Sequence, residues 1–234
     1  MKSILFVLLF QWTATLCFGQ QTELSVQASS GLFSFGGKYA SSDPNFFIND
    51  MPPNYLLNPY SKKSSFSYGL AMQIQRVTNK NGVLGVRVGY DQLSTISHFD
   101  RYGSMSGIYD AENGKVNFRN NLIQINPYFG VRLPVRNIHV DLTAGVNAGS
   151  IRKSTYTVSF DGQSDFFERK TKNYFINTKV DFGPTLGLAA EYKRVGINAT
   201  YLYGVVNYMK NMGYTEDTRV YSRYLRFGVF YRIK

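Results

Sequence analysis

Strict alternation of apolar and polar residues recurs along nearly the whole chain, and helical three-four spacing is almost absent beyond the first 20 residues. A period of two places successive side chains on opposite faces of a strand, so each such segment has one greasy and one polar face. Eight segments carry the pattern. The first runs from about Leu24 to Phe35, with Leu24, Val26, Ala28 and Leu32 opposite Ser25, Gln27, Ser29 and Gly31. The second sets Phe66, Tyr68, Leu70, Met72 and Ile74 against Ser67, Gly69, Ala71, Gln73 and Gln75. Leu84 to Asp91, Leu122 to Val131, Ile138 to Asn147, Phe182 to Tyr192, Val195 to Gly204 and the closing RYLRFGVFYRIK behave alike.

The connections carry a second pattern. TNKNG, PVRN and KR join segments two to three, four to five and six to seven, all of hairpin length. The other connections, about 36–64, 95–115, 150–174 and 206–218, are long, and short and long strictly alternate. An even number of strands with short turns at one end and long loops at the other is the asymmetry of an outer-membrane barrel.

Which face is filled decides between a membrane barrel and a soluble one. A soluble eight-stranded barrel fills its interior with apolar side chains and shows a polar outside. Here the polar face is Gly, Ser, Thr, Asn and Gln with isolated charges, matching the high glycine count of 21, and cannot fill an apolar core. The chain is therefore expected to be all-β: one eight-stranded antiparallel up-and-down transmembrane β-barrel, with its apolar face toward lipid. Aromatic residues on that face gather near strand ends. Phe66, Tyr68, Tyr90, Phe182, Tyr201 and Tyr203 lie toward the long loops, and Phe129, Tyr192 and Tyr231 toward the short turns, as two interfacial girdles would. Pro127 and Pro184 fall inside strands and predict a bulge or local break at each, because proline removes a ladder donor.

Lys2 followed by SILFVLLFQWTATLCFG reads as a signal peptide over residues 1–19, leaving residues 20–234 as the barrel domain. Cys17, the only cysteine, would leave with it, and ATLC lacks the small residue that lipidation normally requires just before the cysteine. Disulfides, thiolate nucleophiles and thiolate metal ligands are then ruled out of the mature chain. The formal charge of +11 is scattered with acids among it. That excludes a nucleic-acid stripe and points instead to anionic lipid head groups or lipopolysaccharide phosphates.

With these elements in view, the signal ending in FGQ, IQINPYFGVRL, DFGPTLGLAAEY and the amphipathic last strand resemble the outer-membrane β-barrel domain family of Bacteroidota, the porin-family or PorT-like proteins. The resemblance spans essentially the whole mature chain. It departs at Lys234, since many outer-membrane proteins end on an aromatic residue.

No metal, cofactor, phosphate-loop or nucleophile-elbow motif is present in the mature chain. His98, Asp100 and Ser104 share an outer loop in SHFDRYGS and would suit a lipid-modifying enzyme only if the loop gathered them. Asn198 begins a glycosylation sequon but lies in a strand, and is discounted. The inward face holds the more informative group: Arg87, His139, Asp141, Glu191 and Arg232 toward the short turns, with Arg226 higher. Opposite charges in so narrow a lumen should pair, because isolated buried charges are costly. The expectation is a polar plug, in a barrel with a structural, adhesion or accessory role and an envelope protein partner at its long loops. A narrow porin and a rim enzyme stay open as alternatives. The first loop, rich in Phe, Tyr, Asn and Pro, either folds over the mouth or offers a contact surface, and residues 151–175 alternate enough to lengthen strands five and six into a protruding hairpin.

Overall fold

A computed structural model describes residues 21–41, 46–47, 55–56, 58–104, 107–161, 167–169, 178–210 and 219–234. The proposed signal peptide lies outside these residues. Eight strands form the barrel: β1 (Gln21–Gly36), β2 (Ser65–Val77), β3 (Gly82–Ser104), β4 (Gly107–Val135), β5 (Ile138–Asp161), β6 (Val180–Tyr192), β7 (Val195–Tyr203) and β8 (Tyr221–Arg232). Each pairs antiparallel with its sequence neighbours, and β1 pairs with β8 through Ala28 opposite Val229, which closes the ring. That last ladder continues beyond Arg232, where the Leu24 N–H donates to the Lys234 carbonyl at 2.9 Å. Closure leaves no edge in the ring, as a sheet immersed in hydrocarbon requires.

The turns at one end are as short as the sequence suggests, with Arg136 and Lys193 opening two-residue turns in the left-handed region at φ 53° and 56°. At the other end the structure departs from the sequence expectation. Residues 95–115 are not a long loop: β3 and β4 run through them as one tall hairpin, and β5 extends beside β4 to Asp161. Register shifts between Phe99 and Arg101 on β3 and at the extra residue Arg152 on β5, opposite the Asn121–Leu122 step of β4, interrupt the pairing there. The described part of β6 starts only at Val180, so β5 is lengthened against β4 and against the short strand Phe167–Arg169. Two further short strands, Phe46–Phe47 and Tyr55–Leu56, pair with each other, the first also lying parallel to β3 at Tyr102 and Gly103.

Polarity follows the expected parity and then reverses. Through the lower barrel the outward residues are apolar and open, Leu70 at 67% and Leu186 at 66% exposure, while inward Glu23 and Arg226 stand at 2% and 5%. Beyond Tyr90, Ile123 and Val180 the outward side chains become mainly polar, Ile108 near the hairpin tip excepted, and the inward ones become Leu93, Phe99, Val116, Phe118, Tyr156 and Val158. The inversion marks where hydrocarbon ends: below it lipid solvates the outside, and above it water does, so the strands must bury their apolar residues within.

The two prolines behave differently. At Pro127 the ladder to β5 breaks over two residues, Asn126 and Pro127, without a register shift. The Asn126 amide donates to the Val146 carbonyl at 2.9 Å, the acceptor that register sets opposite the proline. A side chain thus supplies the donor that the ring removes. Pro184 causes no break in its ladder to β5, where it faces Val146, and the β6–β7 ladder begins at the next residue, Thr185.

Candidate functional site: a bonded lumen under an aromatic cap

The bore is filled in three levels. The lowest is built around Glu23, which faces inward by the same parity as Ser25 and Gln27 on β1. Arg132, the inward residue near the end of β4, donates to both Glu23 oxygens at 2.8 and 2.9 Å and to both Asp141 oxygens at 2.7 and 2.8 Å. Arg232 on β8 reaches Glu23 Oε1 at 2.5 Å and Glu191 at 2.9 Å. Three carboxylates and two guanidiniums therefore alternate around the bore, each guanidinium shared between two acids. Arg132 pairs bidentately with both of its acids, Arg232 through a single nitrogen with each of its own, and this pairing offsets the desolvation that burial imposes on each ion.

Amides carry the network upward. Gln75 donates to Glu23 at 2.6 Å and accepts from Gln73 at 3.0 Å and from the Tyr128 hydroxyl at 2.9 Å. Gln73 in turn accepts from Arg87 Nε at 3.2 Å and Nη2 at 3.1 Å. Gly85 makes room for this arrangement, since a Cβ there would fall 2.3 Å from the Tyr128 oxygen. Higher still, Arg226 is ion-paired to Asp91 and donates to Gln124 at 3.0 Å. Gln27 on β1 donates to Asn198 on β7 at 3.1 Å, passing over Gly228 of the intervening β8.

The third level is apolar. Phe33, Phe35, Tyr60, Phe118, Tyr208 and Tyr224 are buried together, with Phe35 edge-on to Tyr60, Phe118 and Tyr208 at centroid distances of 4.9, 5.7 and 5.2 Å. Edge-to-face geometry suits the ring quadrupoles. The first loop is fastened onto this cap by backbone bonds from Phe35 to Ser61 at 2.8 Å and from Ser41 to Tyr60 at 3.0 Å, and the segment after β7 by Tyr208 to Val220 at 3.0 Å. Burial pushes the Tyr60 and Tyr208 hydroxyls well above the ordinary phenol range. Of the two expectations for the first loop, its described residues follow the one in which it folds over the mouth.

The sequence-derived group is thus only partly one cluster. Asp141, Glu191 and Arg232 meet at the lowest level, and Arg226 pairs above them with Asp91, on the inward face of β3. Arg87 makes no ion pair among the described residues; its guanidinium lies 5.9 Å from the centre of the Tyr128 ring and bonds Gln73 and Thr200. His139 is half-buried opposite Glu191 in register, with no ion pair among the described residues. Glu23 and Arg132, the two residues that organise the lowest level, lie just outside the segments read from the sequence. Extending the parity by one step at each strand end, from Ser25 to Glu23 and from Gly130 to Arg132, would have found them.

At the other end, His98 and Asp100 are exposed on an extended strand. His98 and Ser104 are six residues apart on it, ~20 Å at strand rise, so β3 does not gather the three. No group of three His, Cys, Asp or Glu side chains able to hold a metal occurs among the described residues.

A closed eight-stranded ring with a lipid-facing apolar belt and an ion-paired bore defines an integral outer-membrane β-barrel protein. Several solved structures are similar to it. Ail, the attachment invasion locus protein of Yersinia pestis, solved in complex with the heparin analogue sucrose octasulfate, is 12% identical over 91% of this chain and 99% of Ail, with a TM-score of 0.39. Neisserial surface protein A is 14% identical over 90% of this chain and 98% of its own, with a TM-score of 0.43. The translocator domain of the autotransporter NalP from Neisseria meningitidis is 12% identical, covers 98% and 95%, and has a TM-score of 0.34. No protein-family model matches the sequence, and no curated protein matches it.

Proposed function

We propose that the chain is a sealed, non-catalytic barrel of the porin-family or PorT-like kind that its sequence resembles, with a structural, adhesion or accessory role in the cell envelope. In this reading the short turns face the periplasm, and the tall β3–β4–β5 ridge with its capped mouth faces outward. Outer-membrane lipids and lipopolysaccharide surround the belt, and an envelope protein partner meets the ridge.

The observation that carries the proposal is the continuity of the filling. Glu23, Arg132, Gln75, Arg87, Asp91, Arg226, Phe33 and Tyr208 are buried in succession from the turn end to the cap, none more than 8% exposed. An eight-stranded ring is only wide enough for its own side chains, and these are tied by charge-assisted bonds whose rupture would strand buried ions. A solute path would have to break them. The test is planar-bilayer conductance of the purified wild-type protein: a silent bilayer is expected, and a steady open channel would overturn the proposal in favour of a narrow porin.

A further inference from the structure

Four cations crowd one arc of the outer rim. The apolar belt ends on this side at a single register level, Ile123 opposite Ser150 and Ser150 opposite Val180. Just beyond it stand Lys179 one residue on, Arg152 and Lys153 two and three residues on, and Arg119 four residues on, all exposed. At ~3.3 Å per residue along tilted strands these side chains fall within ~10 Å of the hydrocarbon edge, in the head-group layer. They span three adjacent strands, ~10 Å across. Register brings Lys153 beside Asn121 and Arg119 between Ser94 and Thr155, so the neighbours are neutral hydrogen-bonding residues. None of the four has an ion-pair partner among the described residues, unlike Arg132, Arg226 and Arg232 of the bore, and the nearby Asp181 is turned inward, where it accepts from Ser222 at 2.9 Å.

We infer that this arc is a binding site for the phosphate groups of a phosphorylated glycolipid in the outer leaflet, as distinct from free phosphate or a phospholipid. Four charges without an ion-pair partner among the described residues, at head-group height on one face, call for anions supplied by the membrane itself. A glycolipid carrying more than one phosphate also offers sugar hydroxyls to Asn121, Asn117 and Thr155 beside them. The inference rests on the proposed outward orientation of the long loops and not on the sealed bore.

The experiment uses the full mature barrel in nanodiscs, titrated with bisphosphorylated lipid A, its dephosphorylated form, phosphatidylglycerol or inorganic phosphate. Wild type is compared with the triple variant Arg119→Gln, Arg152→Gln, Lys153→Gln, and with a control triple at the opposite end, Lys80→Gln, Arg194→Gln, Lys234→Gln. A juxtamembrane cation contributes about fivefold in affinity for anionic lipid, so the rim triple should bind lipid A on the order of 100-fold more weakly than wild type, the control being unchanged. The shift of the folded band on unheated gels verifies that each variant is folded. Unchanged lipid A binding in the folded rim triple, equal loss in the control, or equal wild-type affinity for phosphatidylglycerol, for inorganic phosphate or for the dephosphorylated lipid would each overturn the site. None of these outcomes bears on conductance, so failure here and failure of the sealed-bore reading are separable.

Discussion

Arg132→Met tests the charge balance of the lowest level most directly. Arg132 is 5% exposed and makes four charge-assisted hydrogen bonds, two to Glu23 and two to Asp141. Methionine keeps much of the packing volume but leaves three buried carboxylates, Glu23, Asp141 and Glu191, around the single cation of Arg232. Removing one partner of a buried pair costs about 3 to 5 kcal/mol, because the remaining ions lose compensation without regaining water. Glu23→Gln should be milder, about 1 to 3 kcal/mol, since Arg132 retains Asp141 and Arg232 retains Glu191. The double variant should cost less than the sum of the two singles, because a neutral amide at position 23 no longer needs the missing cation. Reversible urea unfolding of the barrel in lipid vesicles, followed by fluorescence, gives the three values. If Arg132→Met proves no more destabilising than Glu23→Gln, or if the costs simply add, the lowest level is not a mutually compensated ion network.

Three further outcomes follow from local geometry. Asn126→Leu removes the donor that replaces the Pro127 N–H, together with a 3.0 Å bond to Thr185, and should cost about 1 to 3 kcal/mol. Adding Pro127→Leu, which restores a backbone donor, should recover part of it in the same unfolding assay, and a further loss would refute the compensation. Gly196→Ala would place a Cβ 2.1 Å from the Phe230 ring carbon Cζ, so overpacking should destabilise the barrel by about 1 to 3 kcal/mol and slow its insertion into vesicles. Phe35→Ala empties the centre of the aromatic cap and should cost about 3 to 5 kcal/mol, with protease cleavage of the first loop accelerated because Tyr60 loses the nearest of its ring partners; unchanged proteolysis would show that the Phe35 ring does not hold that loop.

Much of this barrel is readable because a membrane strand has only two faces. Parity alone assigns Leu70, Val88, Ile125 and Phe227 outward and Gln73, Arg87, Gln124 and Arg226 inward, and the structure follows each assignment. The turns TNKNG, PVRN and KR are legible for a similar reason, as the parity lapses there over a few residues. Above the membrane the same code reverses sign. Val116 and Phe118 face inward there while Arg119 faces outward, and on β5 the extra residue Arg152, opposite the Asn121–Leu122 step, moves the inward side from Asn147 and Gly149 to Tyr156 and Val158, so a ridge of regular strand reads as a long irregular loop.

The sequence by itself determined the strand number, the sidedness of each strand through the membrane, the short turns at one end and the need for buried charges to find partners. Only the tertiary structure decided which partners they find. Glu23 meets Arg132 across 109 positions and Arg226 meets Asp91 across 135, because ring closure and strand stagger bring remote strands to one height in the bore. No local pattern encodes that height. It is set by the register of every ladder around the ring together, and a charge one step beyond a recognised strand end, as Glu23 and Arg132 are, becomes visible as a partner only when the ring is closed.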